Sequence, residues 1–120
     1  MFMILYVLHD ETLLHEILSA WDEAGVSGVT ILPSTGMGRL RKYSALLEDT
    51  PLIPSLSDLI ENHEEVLNRT LFTLVDSQDL IDKVVAATEA LVGPLANDNN
   101  GIMAVLPVAQ IYGRRPRASK

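Results

Sequence analysis

Hydrophobic and polar positions follow two different rhythms along this chain, and the switch between them marks its elements. Phe2 to Leu8 is an unbroken apolar run of strand formers. From Leu13 onward the apolar residues recur every three to four positions, at Leu13, Leu14, Ile17, Leu18, Trp21 and Ala24, which predicts an amphipathic helix. Asp10 suits its N-cap, Glu11 favours the positive end of its dipole, and Gly25 supplies its stop. Val29 to Leu32 reads as the next strand, ended by Pro33.

The same grammar returns later. Arg69 to Val75 reads as a strand, and Asp76 or Ser77 as the cap of a helix carrying Leu80, Ile81, Val84, Val85, Leu91 and Val92 on one side. Gly93 and Pro94 stop that helix. A polar turn over Asn97 to Asn100 then leads through Gly101 to a strand at Ile102 to Leu106. Strand–helix–strand, written twice, predicts an α+β ferredoxin-like βαββαβ fold: an antiparallel four-stranded sheet with two helices on one face. The long connection between the second and third strands is expected to hold a short extra helix. Ser55 with Asp58 resembles a capping box, followed by Leu56, Leu59, Ile60 and Leu67. We read residues 1–113 as one domain with 36–68 as its insert, and 114–120 as a basic tail.

Two helices leave the other sheet face bare, yet the strands are apolar on both parities. Phe2, Ile4, Tyr6 and Leu8 alternate with Met3, Leu5 and Val7, and Ile102, Ala104 and Leu106 with Met103 and Val105. A half-exposed sheet alternates apolar with polar instead. The second face is therefore expected to be covered, either by another subunit or by the Ser44–Asn68 segment. Which parity faces the helices is not set by the pattern, so Leu5 and Val105 both stand as candidate interface positions.

Composition narrows the function. The 120 residues carry no cysteine, which removes disulfides, thiolate nucleophiles and cysteine–zinc sites and fits a cytoplasmic setting. The net charge of −7 opposes nucleic-acid binding. The apolar start is too short to span a bilayer, so no membrane insertion is expected. Basic residues cluster locally at Arg39, Arg41 and Lys42 and at Arg114, Arg115, Arg117 and Lys120, which leaves room for anion binding. Gly36-Met37-Gly38-Arg39 offers backbone N–H groups and a guanidinium to an anion, or is simply a loop entrance. Gly93 to Gly101 contains no Lys or Arg and reads as a helix–strand turn before it reads as a phosphate cradle. His9, His15 and His63 share no metal-ligand spacing, and no G-x-S-x-G or Walker loop occurs. Trp21 is expected in the core. No enzymatic activity is expected.

Leu14-His15-Glu16-Ile17-Leu18, Gly25-Val26-Ser27-Gly28-Val29-Thr30, Gly36-Met37-Gly38-Arg39 and Val105-Leu106-Pro107-Val108 stand in an order and on elements that resemble the P-II signal proteins. The resemblance covers most of the chain and fails mainly at residues 43–67. It implies a homotrimer with effector clefts between subunits. It also implies a T-loop from Gly36, a B-loop from Gly93 to Gly101, and a partner protein that could be a membrane transporter. The ligand-binding residues it implies are Gly36, Met37, Gly38, Arg39, Gly93, Asn100, Gly101, Arg114 and Arg115, with an adenine nucleotide (ATP, ADP or AMP) as candidate effector and no certain cofactor. Three departures matter. Leu40 stands where the family pattern has Gln, the B-loop lacks its Lys, and the C-terminal R-x-R is only partly matched by Arg114 and Arg115. Two other readings stand beside it: an adaptor trimer without a ligand, and a metal-tolerance protein of the CutA kind.

Overall fold

The computed structural model describes residues 1–36 and 68–113. Its elements run β1 (Phe2–Leu8), a 3-10 turn (Glu11–Leu13), α1 (Leu14–Ala24), β2 (Thr30–Ser34), β3 (Asn68–Val75), α2 (Gln78–Val92), a second 3-10 turn (Asp98–Asn100) and β4 (Ile102–Pro107). The strands form one sheet in the order β2-β3-β1-β4, and every neighbouring pair is antiparallel. This is the ferredoxin-like α+β arrangement. The expected helix near Ser55 lies outside the described residues, as do Met37, Gly38, Arg39, Arg114 and Arg115.

Local chemistry sets the element ends. Asp10 accepts hydrogen bonds from the Thr12 N–H and hydroxyl, closing the turn that opens α1. Gly25 ends α1 at φ 118°, and its N–H returns to the carbonyls of Trp21 and Asp22. A side chain there would be strained, so glycine is the residue that lets the chain turn back to the sheet. At α2 the cap is Ser77, whose Oγ accepts from the Leu80 N–H at 3.1 Å, and not Asp76. Pro33 does not end β2 but sits within it, opposite Arg69. β2 is an edge strand, and an edge strand can hold a proline because one side of its backbone has no neighbour to bond.

The register settles which parity faces the helices. Ile4, Tyr6 and Leu8 of β1 and Leu71 and Val75 of β3 are buried, together with Ile17 and Trp21 of α1, Ile81 and Val84 of α2, and Val26. The Trp21 indole N–H donates to Thr88 Oγ1 at 2.9 Å, and that hydroxyl donates to the Val84 carbonyl at 2.7 Å. A polar pair thus crosses the buried interface between the two helices with its bonds satisfied, as burial demands.

The opposite face carries Met3, Leu5 and Val7 of β1. Across the register stand Leu74, Phe72 and Thr70 of β3 and Leu106, Ala104 and Ile102 of β4, with Leu32 of β2 beside Thr70. Ile102 is 64% exposed and Leu32 48%. No described helix covers this face. Val105, opposite Ile4, belongs to the helix side instead.

The Trp21–Thr88 contact yields a direct expectation. Thr88→Val keeps the shape but leaves a buried indole N–H without its acceptor, a loss of about 1–3 kcal/mol. Urea denaturation should show a lower midpoint at unchanged m. An unchanged midpoint would mean the pair contributes nothing to stability.

Candidate functional site

The strand register decides which loops can meet. Ser34 stands opposite Asn68, Leu8 opposite Arg69, and Val7 opposite Ile102. The outlet of β2 toward Thr35 and Gly36, the inlet of β3, the outlet of β1 toward His9 and Asp10, and the inlet of β4 at Gly101 therefore share one end of the sheet. They do not share one edge. β2 and β4 lie on opposite edges with β3 and β1 between them. Three strand spacings, roughly 14 Å, separate them. Within one chain, Gly36 and the Gly93–Gly101 loop lie at the same end without meeting.

The β2 outlet has unmet polar demand. Among the described residues, Thr35 Oγ1 and Asn68 Oδ1 are buried and have no hydrogen-bond partner. Ser34 Oγ and Thr70 Oγ1 pair beside them at 2.7 Å. Arg69 reaches across to Glu11 at 2.9 Å, tying β3 to the start of α1. Both side chains are partly exposed, so this pair adds little stability.

On the β4 side, a cavity of about 160 Å³ opens between His9, Asp10 and Leu13 and the residues Leu91, Asn99 and Asn100. The loop that walls it is bonded largely to itself. The Gly93 N–H goes to the Glu89 carbonyl (2.9 Å), that of Asn97 to the Pro94 carbonyl (3.1 Å) and that of Asn100 to the Asn97 carbonyl (3.2 Å). The Leu95 N–H donates to the Glu89 carboxylate at 2.8 Å. The Asn100 side-chain amide donates to the Pro94 carbonyl at 2.7 Å.

Tyr6 fastens this loop from within the core. Its hydroxyl donates to the Asn100 carbonyl at 2.7 Å while the ring is fully buried, 6.3 Å from the Trp21 ring centre. Gly101, at φ 92°, packs so closely that a Cβ would meet the Val7 carbonyl and the Tyr6 ring. Glycine is required there by both space and backbone. Burial pushes the Tyr6 phenol up to about 12, because the charged form would lose its hydration.

Of the residues expected at a ligand, Gly36 stands at the β2 edge, and Gly93, Asn100 and Gly101 form the β4-side loop. Tyr6, Thr35, Asn68 and Glu89 were not anticipated. Glu89 had a signal: it lies near the end of α2, where the helix dipole disfavours an anion and where no basic residue stands. Tyr6 had none, since its partner is 94 positions away. Among the described residues no three His, Cys, Asp or Glu side chains gather as a metal site, and no helix is long and apolar enough to cross a membrane.

The family model of the nitrogen regulatory protein P-II matches the chain over residues 1–118. No curated protein matches it.

Tyr6 generates a pH expectation. A phenol whose pKa is raised on folding leaves stability unchanged below about pH 10, the unfolded value. Stability then falls as pH rises toward about 12, because the unfolded chain releases the proton first. Tyr6→Phe should cost about 1 kcal/mol at neutral pH through the lost hydrogen bond. It should also remove this part of the alkaline decline. Urea titrations at neutral pH and near pH 11 would test both, and parallel losses in the two proteins would contradict the assignment.

Proposed function

The chain belongs to the P-II nitrogen regulatory protein family, and from that premise we propose that it is a trimeric, non-enzymatic regulator that binds a small effector between subunits and signals to a partner protein. The observation that carries this reading is the second apolar face of the sheet. Met3, Leu5, Phe72, Leu74 and Leu106 form a surface that a monomer has no described element to cover. Three such faces packed about an axis would bury one another.

The same assembly gives the separated loops a reason to lie where they do. Gly36 and the Gly93–Gly101 loop sit at one end of the sheet on opposite edges. In a closed ring, the β2 edge of one subunit approaches the β4 edge of the next. A cleft there would take its walls from two chains, with Gly36 on one side and Gly93, Asn100 and Gly101 on the other. The anionic group of an effector, an adenine nucleotide among the candidates, would be held by Arg39, Arg114 and Arg115. The family relationship and the shared end of the sheet support this arrangement. Cytoplasmic work on a protein target, a transporter included, fits the same reading.

A second reading is favoured by the self-bonded loop. Because its N–H groups at Gly93, Leu95, Asn97 and Asn100 are already used, the subunit could have given up its ligand and kept only its partner.

Two measurements test the shared assembly and then separate the two readings. Leu5→Glu places a carboxylate in the proposed interface, at a cost on the order of 3–5 kcal/mol for each uncompensated buried charge. Light scattering should show smaller species. Val105→Glu, on the opposite parity and already 42% exposed, should leave the assembly intact. A Leu5→Glu protein that keeps the parent mass would sink the interface. A thermal-shift screen with ATP, ADP, AMP and 2-oxoglutarate then addresses the effector, since a ligand at a hundred times its Kd stabilises by about 2.7 kcal/mol. A flat response across the panel from an intact trimer would favour the adaptor.

A further inference from the structure

The Gly93–Gly101 loop already holds an anion, and that anion belongs to the chain. Glu89 collects two of the loop's amides: its carbonyl accepts the Gly93 N–H, and its carboxylate accepts the Leu95 N–H at 2.8 Å. A charged acceptor on a backbone N–H makes a strong bond, of the kind a phosphate or ligand carboxylate would make at the same atom. Helix geometry gives no other reason for an acid here. Glu89 lies near the C-terminal end of α2, where the dipole opposes it, and no basic residue stands in the last turn. The amides at Asn97 and Asn100 are closed by the loop's own carbonyls, and Tyr6 holds the Asn100 carbonyl from the core.

We propose that Glu89 is a specificity-determining residue that occupies the Leu95 amide and excludes anionic ligand groups from the Gly93–Gly101 loop. The loop then offers no cation and no free amide at Leu95, carries Asp98 in its own sequence, and turns Asn99 and Asn100 toward the cavity. The effector that fits turns an uncharged, hydrogen-bonding part toward this loop and its anionic group away. A polyphosphate laid along the loop is rejected twice, by the occupied amide and by repulsion from the carboxylate. This rests on the effector cleft proposed above, but its test does not depend on knowing the effector.

The test uses the full chain and inorganic pyrophosphate as the probe, read at the Leu95 amide by ¹⁵N-resolved NMR. In the parent protein the Leu95 resonance should stay fixed through millimolar pyrophosphate. Glu89→Ala opens the amide and removes the charge. Its Leu95 resonance should move saturably, with affinity raised by about tenfold or more. Glu89→Gln keeps an acceptor for Leu95 while removing the Glu89 charge, so a smaller gain is expected, and it serves as the folded variant if Glu89→Ala fails to fold. A parent Leu95 signal that titrates as readily as the variants' overturns the proposal. So does a folded variant that gains nothing. Shifts confined to the Gly36 side in all three proteins would overturn the role of Glu89 and leave the effector cleft standing. Loss of the trimer with Leu95 behaving as expected would do the reverse.

Discussion

Two helices cover one face of a four-stranded sheet and no more, and this chain has strands that are apolar on both. That constraint organises the rest of the molecule. It puts Trp21, Tyr6 and Val84 on the sealed side and leaves Leu5, Phe72 and Leu106 on the other. Hydrophobic burial stabilises in proportion to the apolar area removed from water, at about 25 cal/mol per Å². A face of this composition, covered by no described helix, favours association, which is the physical basis of the trimer proposed above.

The sealed side does more than supply stability. Its polar groups are few and each is placed. The Trp21 N–H meets Thr88, and the Tyr6 hydroxyl meets the backbone of Asn100. The first ties the two helices together across their buried interface. The second carries the rigidity of the core into the loop that precedes β4. A loop anchored by a core hydroxyl, by a glycine that admits no side chain and by a carboxylate from its own helix has little freedom left to reshape around a ligand. The other edge differs: there, among the described residues, Thr35 and Asn68 keep buried polar atoms without a hydrogen-bond partner.

Much of the architecture was legible because its causes are local. Periodicity identified both helices, and Asp10, capping the 3-10 turn that leads into α1, and Gly25, ending α1, act through contacts within a few residues of themselves. The misreadings have equally physical origins. Pro33 looked like the end of a strand because its missing N–H matters only in an interior strand, and edge position depends on the whole sheet order. Asp76 and Ser77 are adjacent and both are cap formers, and only backbone geometry chooses between them. The site was less legible than the fold. Its glycines announced loops, but the contact from Tyr6 to Asn100 spans most of the chain. The bond from the Leu95 N–H to Glu89 depends on how the chain turns back after Gly93, which no local pattern specifies.

The distribution of charge ties these parts together. The two basic side chains among the described residues, Arg69 and Lys83, are each engaged, with Glu11 and Asp79 respectively. The β4-side loop has no cation and carries the Glu89 carboxylate on its amide. An anion reaching the end of the sheet thus finds no positive partner on the rigid framework. The remaining basic residues stand at 39, 41 and 42 in the connection and at 114, 115, 117 and 120 in the tail. On the reading proposed above, Coulomb attraction would direct an effector's anionic group toward those residues and away from the loop.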